Sequence, residues 1–357
     1  MLYYSINKLR EILVEELSKV EIEKPILLPF DKGLLKEIIF DDDRFDSSLT
    51  NILFKIDFSN ISFDGYNLQD GVNNFEGFTG IKINPQTILN KNLSHSTFSG
   101  VEFVGSFDDV WITGVSFKGS KGAKINPQTV FNKDLTEINF KDVEFIGSFE
   151  NASIYDSNFE GSKGAKINPQ TIDEKDLSGC KFKNVEFIGP FDCTGITESD
   201  FEGSKGTKID PQTIHGKDLT NVVCADVEFI GNFNNVNVHN ANFKGSKGAK
   251  INPQTIFNKN MWGVDCADVE FIGHFDGVAL RDTSFKGSKG AKIDPQTVKD
   301  KDFYRTNCAD VEFIGSFDGV KRTLTKLEGS NYEEIINFEK DFREKIKSLV
   351  LKKSNNS

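Results

Sequence analysis

The stretch KDVEFIGSFENASIYDSNFEGSKGAKINPQT, residues 141–171, carries the reading that decides the fold. Its large apolar residues belong to the series Leu135, Phe140, Phe145, Phe149, Ile154, Phe159, Ile167, Ile172 and Leu177, which steps by five residues, once by four and once by eight. Neither the 3.6-residue period of a helix nor the alternation of a half-buried strand fits such a step. A small or β-branched residue stands two positions before most of them (Val143, Gly147, Ala152, Ser157, Ala165). A polar one stands immediately before (Asp134, Asn139, Glu144, Ser148, Ser153, Asn158, Lys166, Thr171). Five residues supply one short extended side and one corner, with the large and the small residue turned inward.

A longer clock runs above this one. The prolines of the (N/D)PQT element, Pro85, Pro127, Pro169, Pro211, Pro253 and Pro295, recur every 42 residues. Those 42 residues hold eight of the steps above: 40 residues of regular spacing, one fewer at FIGSF and three more at EGSKGAKI. The added residues are rich in Gly and Lys, which suits a corner loop needing positive φ.

The units KDL, INF, VEF, GSF, ASI, SNF, AKI and QTI resemble the pentapeptide-repeat family, with its loose consensus A(D/N)LXX, over about three quarters of the chain. The resemblance implies an all-β solenoid, a right-handed, four-sided parallel β-helix with one pentapeptide per side. Coils would stack at roughly 4.8 Å, each burying its apolar ring on the next. One departure stands out. The Lys of KDL and the Gln of PQTI fall where a small inward residue is expected, so that side is expected to bow or open.

Both ends differ from the repeat. Residues 1–51 read as a helical N-terminal cap, in which Ser5 caps a helix over 6–20 with Ile6, Leu9, Leu13, Leu17 and Val20 on one face. Pro25 and Pro29 then break the chain, and LLKEIIF (34–40) is apolar enough to pack. The repeat fills 52–329. In the C-terminal segment, 330–357, Ser330 and Glu333 form a capping box opening an amphipathic helix over 331–352, with Ile335, Phe338, Phe342, Ile346 and Leu349 along one side.

A net charge of −11 argues against direct binding of nucleic acid or an anionic membrane. No apolar run approaches a membrane span, and the acidic amphipathic start is no signal peptide. Five cysteines give no paired framework, so a cytoplasmic protein is expected. Cys224, Cys266 and Cys308 share an inward position two coils apart, roughly 10 Å, too far for a disulfide; they read as buried reduced thiols. His95, His215, His239 and His274 share no repeat position. No metal and no cofactor is indicated.

Register makes specific demands on the outward residues. The Glu of VEF and the Lys of AKI are expected in one column: Lys82, Glu102, Lys124, Glu144, Lys166, Glu186, Lys208, Glu228, Lys250, Glu270, Lys292, Glu312. Alternating charges of this kind would hold register more than they stabilise. Val104, Ile146, Ile188, Ile230, Ile272 and Ile314 are nominally outward too, either as an apolar stripe for a partner or covered by the neighbouring GSKG loops. Those loops carry a ridge of Lys121, Lys163, Lys205, Lys247 and Lys289, without the spacing or following helix of a phosphate-binding loop. Trp111 and Trp262 are expected on the surface, and Thr87, Thr129, Thr171, Thr213, Thr255 and Thr297 align in a row interrupted in alternate coils.

Catalysis needs a few unlike groups converging in a pocket. A solenoid that repeats the same groups over a filled interior offers none, so the chain is expected not to be an enzyme. The favoured reading is a structural or protein–protein interaction rod whose protein partner the sequence does not name, possible as a homodimer through the C-terminal helix. The alternative implied by the resemblance is an acidic mimic of duplex DNA that binds DNA gyrase or another DNA-binding protein. Acidic columns at Asp134, Asp176, Asp218 and Asp302, and at Asp142, Asp226, Asp268 and Asp310, have the sign such mimicry needs.

Overall fold

Backbone pairing within the repeat is parallel and joins residues one coil apart: Asn139 with Asn158, Lys124 with Glu144, Ser116 with Asn139. The 19-residue and 23-residue separations alternate, as in Thr97 to Ser116 and Ser116 to Asn139, and together make the 42-residue clock. The chain is a β-solenoid of about 12 turns. The computed structural model describes all residues except 1–4, 22–24, 29–31, 42–43, 46–48, 50–51, 60, 67, 69–73, 79 and 355–357, so Pro29 lies outside the described residues. Two compact units divide it, Met1–Gly189 with Gly203–Lys205, and Pro190–Glu202 with Gly206–Ser357.

The polar residue before each large one has a mechanical task. Asp134 Oδ1 accepts the Thr136 N–H at 3.1 Å, Asn158 Oδ1 that of Glu160 at 2.8 Å, and Asn242 Oδ1 that of Lys244 at 3.0 Å. Each is an Asx turn, which bends the backbone without a glycine. It turns the corner and leaves the next residue facing in.

Inside, Phe140, Phe159 and Phe182 in the first unit, and Phe233 and Phe243 in the second, have almost no solvent contact. Phe140 and Phe159 lie 4.9 Å apart between centroids, and Phe229 and Phe243 5.6 Å. Some inward hydroxyls bond to carbonyls of the neighbouring coil: Ser157 Oγ donates to Leu135 O at 2.6 Å, and Thr283 Oγ1 to Met261 O at 2.6 Å. That satisfies a polar group which would otherwise destabilise the core by about 1–3 kcal/mol.

The side expected to bow is instead closed by polar side chains. Gln128 Nε2 donates to Ser148 O at 3.0 Å and to Glu150 O at 2.7 Å, one coil further along. Gln86, Gln212, Gln254 and Gln296 repeat this double bond. In four of the repeats the Lys of the following turn then donates to the Gln oxygen, as in Lys217 to Gln212 Oε1 at 2.8 Å and Lys259 to Gln254 Oε1 at 2.6 Å. A small inward residue is unnecessary because the amide acts as a bracket between coils. The (N/D)PQT element presents it: Asn126 Oδ1 accepts the Gln128 N–H at 3.1 Å, and Thr129 Oγ1 donates to Asn126 O at 3.2 Å.

The ends are closed differently. In the first unit, α1 (Ile6–Ser18) begins where Ser5 accepts the Lys8 N–H at 3.3 Å and stops short of the expected residue 20. The apolar stretch at 34–40 falls mostly in α2 (Lys32–Ile39). Arg10 Nε donates to Ile38 O at 2.8 Å, tying the two helices, and Lys55 Nζ donates to Leu17 O at 2.7 Å and Val20 O at 3.0 Å at the end of α1. Cationic groups on terminal carbonyls are a common way to finish a helix.

In the second unit, α3 (Tyr332–Ser354) follows the last coil. Ser330 Oγ accepts the Tyr332 N–H at 3.3 Å, but Ser330 N bonds to Leu327 O, so the reciprocal half of the capping box does not form. Asn331 supplies the closure: its Nδ2 donates to Phe313 O at 2.9 Å and its Oδ1 accepts Phe313 N–H at 2.7 Å. One side chain thus pairs with both backbone groups of Phe313, as a further coil would. The ring of Tyr332 meets Phe317 edge-on at 4.7 Å.

Candidate functional site

With the interior filled, chemistry is left to the outward positions. The structure brings together Lys82 with Glu102, Lys124 with Glu144, Lys166 with Glu186, Lys208 with Glu228, Lys250 with Glu270 and Lys292 with Glu312, each at 3.0–3.1 Å. It does not bring Glu144 against Lys166. The coil following Glu144 presents Lys163, and Lys166 comes three residues later to meet Glu186. The expected continuous column is therefore a set of separate pairs, broken because the extra residues lie between the GSKG lysine and the AKI lysine. All these side chains are about half exposed, and such pairs contribute about 0–1 kcal/mol each.

The GSKG loops do not cover the isoleucines. Ile146 and Ile188 in the first unit are 60 % exposed, and Ile230, Ile272 and Ile314 in the second 61–62 %. Val104 is exposed as well. Each stands two residues after the Glu of an ion pair and is therefore on the same side.

Other residues resolve simply. Trp111 stacks on Phe131 at 3.8 Å on the surface of the first unit. Trp262, in the second, donates from Nε1 to Asp282 Oδ2 at 3.0 Å and has the Arg281 guanidinium 5.2 Å from its ring. The aligned threonines donate to the carbonyl three residues back, closing the proline turns. His239 lies edge-on to Trp262 at 5.9 Å. Among the described residues no group of three or more His, Cys, Asp or Glu could hold a metal, and no helix is long and apolar enough to cross a membrane.

Cys180, Cys224, Cys266 and Cys308 are buried and free, and Cys193 is exposed. Burial pushes the Cys180 and Cys308 thiols up to about 12, and raises those of Cys224 and Cys266 as well. The thiolate is the reactive form. In native protein, a chromogenic disulfide reagent is therefore expected to modify Cys193 quickly and the other four only after denaturation. Rapid reaction of more than one thiol in the native state would contradict the placement of the cysteine column.

At the far end, α3 exposes Phe338, Phe342 and Ile346, which recur every four residues along one face. The side chain of Leu349 lies outside the described residues. A groove of about 430 Å³ runs between this helix and the last coil, lined by Ile314, Ile335 and Phe338 among others. The reading of the sequence missed three features: the Gln brackets, the Asn331 closure, and the stack of Trp262, Arg281 and Tyr304, in which the guanidinium also lies 5.0 Å from the Tyr304 ring. The last was open to recognition, since 262, 281 and 304 are separated by 19 and 23 residues, the two coil lengths.

Sides such as those at Leu135, Phe140 and Phe159 use the same device: an Asp or Asn turning a corner, then a large residue facing in. The chain fits a pentapeptide-repeat protein. No family model matches it, and no curated protein does. Among solved structures, a trypsin-treated form of QnrB1, a plasmid-mediated fluoroquinolone resistance protein, is similar at 11 % identity, covering 74 % of this chain and 95 % of that one with a TM-score of 0.16. A second trypsin-treated form gives 10 %, 73 %, 93 % and 0.14, and the full-length form 12 %, 73 %, 95 % and 0.11.

Proposed function

We propose that this pentapeptide-repeat protein is a non-enzymatic protein-interaction scaffold of the cytoplasm that pairs with a second copy through α3. In this reading residues 1–51 cap the solenoid, 52–329 form it and 330–357 carry the pairing helix, while the Lys–Glu pairs of the coils hold register. The observation that supports it is the apolar face of α3, where Phe338 is 70 % exposed beside Phe342 and Ile346. Large apolar residues grouped on one solvent-facing side mark an interaction surface.

Mimicry of duplex DNA toward gyrase is disfavoured by what the acidic columns do. Asp134, Asp176, Asp218 and Asp302 accept backbone N–H groups at the corners. Asp142, Asp268 and Asp310 accept the N–H of Gly119, Gly245 and Gly287 one coil away. Carboxylates spent on backbone, interleaved with lysines, make a poor copy of an uninterrupted phosphate row.

Light scattering on the full chain tests the pairing. Wild type is expected at the mass of a dimer, and Phe338→Asp with Phe342→Asp at that of a monomer, with unchanged circular dichroism because both residues are exposed. A monomeric wild type, or a dimer that survives the double change, would refute pairing through α3.

A further inference from the structure

The second unit carries another exposed apolar feature that α3 does not explain, the row Ile230, Ile272 and Ile314. We propose that this row is a seat for an acidic amphipathic α-helix of a partner protein, laid along the direction in which the coils stack. The inference rests on the interaction-scaffold reading and adds the chemistry of the partner.

Spacing is the first argument. Successive isoleucines are two coils apart, about 9.6 Å at the strand-to-strand distance. An α-helix returns to the same face after seven residues, a rise of about 10.5 Å. A partner helix with large apolar residues at seven-residue intervals therefore meets Ile230 and Ile272 in register, and its third anchor reaches the groove beside Ile314, where Ile335 adds apolar wall. An extended strand repeats its face about every 6.6 Å and misses the row. A polyproline helix repeats at about 9.3 Å, but such segments are gripped in aromatic grooves, and this row presents isolated aliphatic side chains.

Charge is the second argument. Glu228 is held by Lys208 at 3.1 Å on one side, and on the other its backbone pairs with Lys247 of the next coil. Glu270 is likewise held by Lys250 at 3.1 Å and faces Lys289. Lys247 and Lys289 make no ion pair among the described residues, so the flank of the row is positive. Acidic residues beside the partner's apolar stripe would answer it. At the α3 end Glu334 and Glu339 line the groove, so the third anchor should carry no acid beside it.

The test uses a fluorescent synthetic peptide of about 20 residues, long enough to hold a helix, with Leu at seven-residue intervals and Glu beside the first two. Anisotropy titration with the full-length protein is expected to show saturable binding. Affinity should fall at least about tenfold with Ile272→Asp, and several-fold with Lys247→Glu plus Lys289→Glu or on raising salt from about 0.05 M to about 0.3 M. A peptide of the same composition with Leu at five-residue intervals should bind at least about tenfold more weakly. Circular dichroism checks that the variants remain folded, as substitutions at exposed positions should allow. Equal affinity for the two peptides, or indifference to Ile272→Asp, overturns the proposal. If light scattering shows that Ile272→Asp dissociates the protein itself, a second copy occupies the row and the proposal also falls. Failure to bind the peptide leaves pairing through α3 untouched, since that is read from the mass of the protein alone.

Discussion

Replacing Phe243 with Ala is expected to destabilise the protein by about 3–5 kcal/mol, the range for emptying a buried aromatic site. Phe243 has no solvent contact and lies 5.6 Å from Phe229 and 5.7 Å from Phe233 between centroids. In a solenoid each coil rests on its neighbours, so a void in one coil removes contacts from the coils on either side. Relaxation to fill it is restricted, because the Asx corners and inter-coil hydrogen bonds fix where each side chain starts. Urea unfolding followed by circular dichroism measures the effect as a lowered midpoint. The comparison that gives the result meaning is Ile146→Ala on the outward face of the first unit, expected within about 0.5 kcal/mol of wild type. Both substitutions remove a large apolar side chain. If they cost the same, the assignment of inward and outward positions is wrong.

That assignment was the legible part of the chain. A five-residue step cannot be helix or ordinary strand, so Leu135, Phe140 and Phe145 had to face the same interior, and their burial follows from spacing alone. The pairing of Lys124 with Glu144 was legible for the same reason, since they are separated by 20 residues, four regular sides. Counting failed where the step departs from five. Spacing says that three residues are added near GSKG, but not on which side of them the next bridge forms, and this alone decides whether Lys163 or Lys166 meets Glu144. Composition failed at PQT for another reason. Glutamine at an inward position looks like a misfit until its amide is seen reaching two carbonyls of another coil, as Gln254 reaches His274 O at 3.1 Å and Asp276 O at 2.8 Å. Coil length gives the coil that such a side chain reaches, but not which backbone groups its amide meets there, and so the Gln row and Asn331 emerged from the structure. The exposure of the isoleucines belongs with these. A sequence period places them outward, but whether a loop covers them depends on where the loop backbone goes.

The place where the loop backbone goes is held by glycine, and Gly248→Ala is expected to show it. Gly248 has φ +73, and a Cβ there would stand 2.5 Å from the carbonyl oxygen of Phe229 in the neighbouring coil. The left-handed conformation alone costs a residue with a Cβ about 1–2 kcal/mol. Many corners of this solenoid accept that cost, since Asp226, Asn235 and Asn240 all have positive φ. At Gly248 it adds to a collision with backbone, which no side-chain rotation relieves. Phe229 cannot withdraw, because its N–H bonds to Lys247 O at 2.8 Å and its ring packs on Phe233 and Phe243. Total destabilisation should therefore exceed the conformational term, reaching at least about 2–3 kcal/mol. Gly277 separates the two contributions: its φ is +71, but nothing lies within 4 Å of the Cβ position, so Gly277→Ala should show the conformational cost alone. Equal urea midpoints for the two variants would mean that the loop after Lys247 yields and is not fixed against the coil beneath it.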